Sequence, residues 1–155
     1  MGKEIVMRGW ELLYGGTNCG LMREVSDAVK NGGGEVTGII PQCIVDRGVS
    51  AEGISELIVA PDMKERKSMM REKADAFIAL PGGWGTLEEI TEVMSKVSLG
   101  HLDAPCILYD LDGYYAGLKA LLAHMVKMGL SSPERQSGIY FVKNLDEIKS
   151  ILKRA

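Results

Sequence analysis

Histidine is scarce in this chain of 155 residues. There are two, His101 and His124, too few to suggest a metal site. Cysteine is scarce too: Cys19, Cys43 and Cys106 are scattered, odd in number and without metal-type spacing. They read as free thiols in a reducing cytoplasm. No apolar stretch approaches the roughly 20 residues of a membrane helix, so no membrane is expected as a partner. The start lacks the pattern of a secretory signal. Long blocks of one charge are also missing, and the net charge is −3. That argues against nucleic acid as the main partner. What remains is 46% hydrophobic and 25% charged, ordinary for a globular protein. The length suits one domain with a real core, and residues 1–155 are expected to form a single one.

Short apolar runs alternate with segments of helical period. The runs 11–14, 35–40, 56–60, 76–80, 106–109 and 139–142 read as strands. Segments 21–30, 63–74, 86–97, 115–128 and 145–153 read as helices. This order implies an α/β fold with a mostly parallel, Rossmann-like sheet and helices on both faces. Runs such as "FIAL" and "CILY" are apolar on both sides, as a covered sheet requires. The start is unusual. "GKEIVMRG" reads as the tail of a helix closing at Gly9, followed directly by the strand "WELLY". An α/β domain usually opens with a strand, and here the first strand is expected to be missing.

In such folds ligands sit beyond the carboxyl ends of the strands. Two glycine turns fall there: "YGGTNCG", with Gly15, Gly16 and Asn18, and "PGGWGT" at residues 81–86. In the second, Pro81 ends the strand, and Gly82, Gly83 and Gly85 leave no Cβ in the way. Their N–H groups can converge on an anion, with the dipole of a helix starting near Thr86 behind them. Thr86 can cap that helix or donate its hydroxyl to a phosphate. A tight turn with no ligand is the plainer reading of the same residues.

Leu87, Ile90, Val93, Met94 and Val97 form an apolar stripe that should pack on the sheet. On a helical wheel Glu88 and Glu92 point roughly 160° from that stripe and should be solvated, while Glu89 lies only about 100° away, beside the strand ends. Glu89 is therefore the carboxylate placed to reach a ligand, although offsetting the helix dipole would also explain it. Upstream, Asp62 and Glu65 are a helix-start signal. Met63, Met70 and Ala74 trace a stripe, and its i+3 and i+4 positions are Arg66 and Lys67. Two cations thus stand where the period asks for apolar side chains. A half-buried cation needs an anion, either an internal carboxylate such as Glu89 or a ligand phosphate.

Together, "PGGWGTLEE" and "MKERK" fit the patterns P-G-G-x-G-T-x-x-E and M-x-x-R-K. The chain resembles the Lonely Guy family, the cytokinin riboside 5′-monophosphate phosphoribohydrolases. The likeness runs on through "YGGTNCGLM", "GGEVTGIIP", "ADAFIALPGG" and "LGHLDAPCILYDLDGYY", from about Gly9 onward. It implies a dimeric Rossmann-like protein that hydrolyses the N-glycosidic bond of an adenosine-type 5′-monophosphate. The products would be free base and ribose 5-phosphate. It also implies a catalytic pair, Arg66 and Glu89. Gly82, Gly83, Gly85 and Thr86 would hold the phosphate, and Gly15, Gly16, Asn18, Met63 and Lys67 would complete the substrate site. No cofactor or metal is called for.

The chain departs from the family pattern in two places. The pattern opens with a strand and a Gly-Ser turn, whereas this chain starts in the helix that follows. Thr17 stands where many members carry glycine. Two other functions fit the same residues: a general purine-monophosphate nucleosidase and a non-catalytic nucleotide carrier. The presence of both Arg66 and Glu89 favours an enzyme over a carrier. Nothing marks a pyridoxal phosphate site, so lysine decarboxylation is not supported.

Overall fold

A computed structural model describes residues 1–153. Their contacts group into two compact units, one of residues 1–74 and one from residue 75 onward.

The first unit contains α1 (Gly2–Met7), β1 (Leu12–Tyr14), α2 (Gly20–Asn31), β2 (Val36–Pro41), α3 (Gln42–Val45), β3 (Glu56–Ala60) and α4 (Met63–Lys73). Its strands form a parallel sheet in the order β1-β2-β3. The registers pair Leu12 with Val36 and Thr37 with Glu56. β2, the central strand, is buried along its whole length, so both of its faces are covered. α2 packs on β1 and β2, and α4 on β2 and β3. Ile5, Tyr14, Val29, Val36 and Ala51 form the core. α1 lies against α2 so closely that a Cβ on Gly2 would stand 2.5 Å from the Ala28 Cβ. It ends as the sequence implies, with Gly9 at φ +65°.

The second unit contains β4 (Phe77–Ala79), α5 (Trp84–Ser98), β5 (Cys106–Tyr109), α6 (Ala116–Lys127), β6 (Ile139–Val142) and α7 (Leu145–Leu152). Its parallel sheet runs β4-β5-β6. Ala79, Ile90, Val93, Met94, Cys106, Leu108 and Tyr115 form its core. α5 packs on β4 and β5, and α7 on β6.

The α/β class, the parallel pairing and all six expected strands are present. The ladders, however, form two three-stranded sheets, with β1 ending one and β4 ending the other. α3 escaped the sequence reading because it is a single turn of four residues, too short to show a period. Among the described residues no helix is long and apolar enough to cross a membrane.

Candidate functional site

In the first unit the candidate residues gather around Arg66. α4 begins at Asp62, whose side chain accepts a hydrogen bond from the Glu65 N–H at 2.8 Å. One turn in, Arg66 is only 5% exposed. Its Nε donates to the Ile39 carbonyl at 3.0 Å, and Nη1 lies 3.5 Å from the Met63 Sδ. Ile39 belongs to β2, but the ladder with β1 stops at Gly38. The strand therefore offers a carbonyl just beyond the end of β1, and the guanidinium takes it.

Gly15 makes room for this group. A Cβ there would lie 2.7 Å from Arg66 Nη2 and 3.1 Å from Met22 Sδ. Gly16, at φ +72°, is pressed against β2. Across from it, a Cβ on Gly38 would meet the Gly16 Cα at 2.8 Å. The "YGG" turn is thus built for close backbone packing and for Arg66. Asn18 is exposed, and its N–H donates to the Val49 carbonyl at 2.9 Å. Lys67 is half-buried, and Met63 is exposed at the start of α4.

In the second unit the candidates gather at the start of α5. The helix begins two residues earlier than the sequence suggested: Gly83 is its N-cap, so Thr86 lies inside the first turn and does not cap it. Gly83 has no side chain to spend on capping, and no side-chain cap bond forms. The first intrahelical donor in the chain is Leu87, to the Gly83 carbonyl at 3.1 Å. The N–H groups of Trp84, Gly85 and Thr86 have no carbonyl within the helix. A Cβ on Gly83 or Gly85 would meet nothing within 4 Å, so the space beside both is open. Thr86 folds back on Gly82, where a Cβ would stand 2.2 Å from its Oγ1.

Glu89 follows Gly85 by four residues and Thr86 by three, which puts it on their face of the helix. Helical side chains lean toward the N-terminus, so Glu89 leans toward the glycine turn. It is half-buried, while Glu88 is exposed, as expected. Two expectations fail. Glu92 is half-buried instead of solvated, and Leu87 is 38% exposed instead of packed. Leu87 lies in the first turn, before the buried stretch of the helix that begins at Ile90.

Tyr114, Tyr115 and Asp110 also bear on this turn. The Tyr114 hydroxyl donates to the Gly82 carbonyl, and the Tyr115 hydroxyl to the Leu80 carbonyl at 2.6 Å. The Tyr115 N–H in turn donates to Oδ1 of buried Asp110 at 2.6 Å. The rings meet edge to face, 5.0 Å between centroids. Burial and then the neighbouring Tyr114 push the Tyr115 hydroxyl up to about 12, so it stays a donor at neutral pH. The segment "LDGYY" was visible in the sequence, but nothing local says that both hydroxyls reach back to residues 80–82. Among the described residues no group of three or more His, Cys, Asp or Glu is placed to hold a metal ion.

A family model described as "Possible lysine decarboxylase" matches residues 22–152. Among curated proteins, the chain is 46% identical over 133 residues to the probable cytokinin riboside 5′-monophosphate phosphoribohydrolase LOGL2 of Oryza sativa subsp. japonica. That match covers 86% of this chain and 54% of the rice protein. It is 39% identical over 154 residues to the cytokinin riboside 5′-monophosphate phosphoribohydrolase LOG1 of Arabidopsis thaliana, covering 99% of this chain and 71% of that one. The chain thus spans little more than half the length of the rice relative. Among solved structures, it resembles the molybdenum cofactor binding protein of Rippkaea orientalis, with TM-score 0.69 and 21% identity over 99% of this chain and 82% of that one. The molybdenum cofactor carrier protein of Chlamydomonas reinhardtii gives TM-score 0.68 at 20% identity, over 99% and 81% of the two chains. At that identity the two structures speak for the fold alone.

Proposed function

The chain belongs to the Lonely Guy family, the family of the rice and Arabidopsis phosphoribohydrolases, and on that premise we propose that it hydrolyses the N-glycosidic bond of adenosine-type 5′-monophosphates, including N6-modified ones. The observation that carries this reading is the start of α5. Unspent first-turn N–H groups and an open space suit a phosphate. Glu89 stands one turn further along the same face.

In the proposed reaction the phosphate binds at Gly82, Gly83, Gly85 and Thr86. The C–N bond at the anomeric carbon breaks with its electron pair leaving on the base. Positive charge develops on the ribose, and the Glu89 carboxylate stabilises it and orients the attacking water. The water's oxygen joins the anomeric carbon, and a proton goes to the base nitrogen. Arg66, held by Ile39 and Met63, is the second catalytic residue that the family likeness implies. By the same likeness Gly15, Gly16, Asn18, Met63 and Lys67 are substrate-binding residues. The reaction invokes no cofactor or metal ion. The chain acts as a cytoplasmic homodimer, for which the methionine-bearing surface of α4 (Met63, Met69, Met70) is soft and adaptable.

The test is incubation with AMP and with N6-isopentenyl-AMP, followed by assay of free base and ribose 5-phosphate. Release of both products is expected. Tight nucleotide binding with no base released would overturn the reading in favour of a carrier.

A further inference from the structure

We propose that Tyr114 is a positioning residue for phosphate recognition: its hydroxyl aims the first N–H of the anion site. The inference rests on the phosphate reading given above. A peptide unit is planar and trans, so its C=O and N–H point in opposite directions. The Gly82 carbonyl accepts from Tyr114. That bond fixes the plane of the Gly82–Gly83 peptide and turns the Gly83 N–H to the side away from the tyrosine. Gly83 is the N-cap of α5, next to the unspent N–H groups of its first turn.

Such a loop needs an external brace. Gly82, Gly83 and Gly85 are free to take many conformations, and Gly83 has no side chain to cap its own helix. Donors convergent on an anion are effective only when held in place beforehand. Tyr115 supplies the fixed end of the brace. It is buried, tied to Asp110 through its N–H and to Leu80 through its hydroxyl, and it lies edge-on against Tyr114. Tyr114 is 55% exposed. Its ring therefore adds little to the core, and the bond to Gly82 is its distinguishing contact.

Tyr114→Phe removes the hydroxyl and keeps the ring. Calorimetric titration with AMP and with adenosine, of the full chain and of Y114F, each carrying Glu89→Gln so that bound AMP is not consumed, tests the proposal. In Y114F the affinity for AMP should fall about tenfold, the equivalent of one hydrogen bond. The affinity for adenosine should stay within about twofold, well under one hydrogen bond. The ratio of the two affinities does not depend on the folded fraction of the sample, so a partly unfolded variant still reads correctly. A merely structural role would lower both affinities alike and leave the ratio unchanged, which overturns the proposal. If the Glu89→Gln chain with Tyr114 intact already binds AMP and adenosine equally, the phosphate reading fails and the proposal with it. A chain that prefers AMP, with an equal preference in Y114F, overturns the proposal alone.

Discussion

Arg66 occupies a position where the helical stripe from Met63 asks for an apolar side chain. The structure accommodates the charge by burying the guanidinium against a strand carbonyl and leaving Gly15 bare beside it. Gly15→Ala would force the guanidinium to shift, because its Nε is held while its Nη2 would be struck. Turnover of AMP should fall more than tenfold, with a stability loss of about 1–3 kcal/mol from overpacking. Steady-state kinetics beside urea unfolding would separate the two effects, and unchanged turnover would mean that the place of Arg66 does not matter. Glu89→Gln should keep the fold and lose more than about tenfold in kcat, since even that factor is only about 1.4 kcal/mol of barrier. A variant retaining most of its turnover would remove Glu89 from the mechanism.

Cys106 gives a prediction about pH. Burial raises its thiol from 9.0 to about 12. The unfolded chain therefore releases this proton first as pH rises, and the stability it contributes is present below pH 9 and lost between about pH 9 and 12. Urea unfolding under reducing conditions should show stability falling by up to about 1.4 kcal/mol per pH unit just above pH 9. Cys106→Ala should lack that slope, and equal slopes in the two proteins would refute the assignment.

Elements were easiest to read where period and caps agree. β3, β5 and β6 fall on their sequence boundaries because each is a short apolar run between polar, glycine or proline residues. α4 starts where Asp62 and Glu65 say it should. Asp62→Ala should lower stability by about 1 kcal/mol, the usual loss for an N-cap. Thermal melting checks this, and no change would show that the cap is idle. The start of α5 lies two residues before the one its threonine suggests, for a physical reason. A threonine can cap a helix with its side chain and so draws the eye, but glycine is also accepted at that position; here the cap belongs to Gly83, and Thr86 turns to pack on Gly82. Arg66 and Glu89 could be picked out because each breaks or borders a stripe. The tyrosine brace could not, since its two ends are 32 and 35 residues apart in sequence. The short turn α3 left no periodic trace.

At the scale of the whole molecule the family likeness implies self-association. Sedimentation at micromolar concentration should show a dimer, and a monomer alone would count against it. The division of the strands has a further consequence for how the chain is made. Among the described residues the ladders of β1, β2 and β3 lie within residues 12–60, and those of β4, β5 and β6 within 77–142. During synthesis, then, the first sheet can zip while the second is still unborn, because units fold in the order they leave the ribosome. Nascent chains arrested once residue 74 has emerged should already protect residues 12–60 from protease. Protection that arrives only with the finished chain would show that the early strands wait for the late ones.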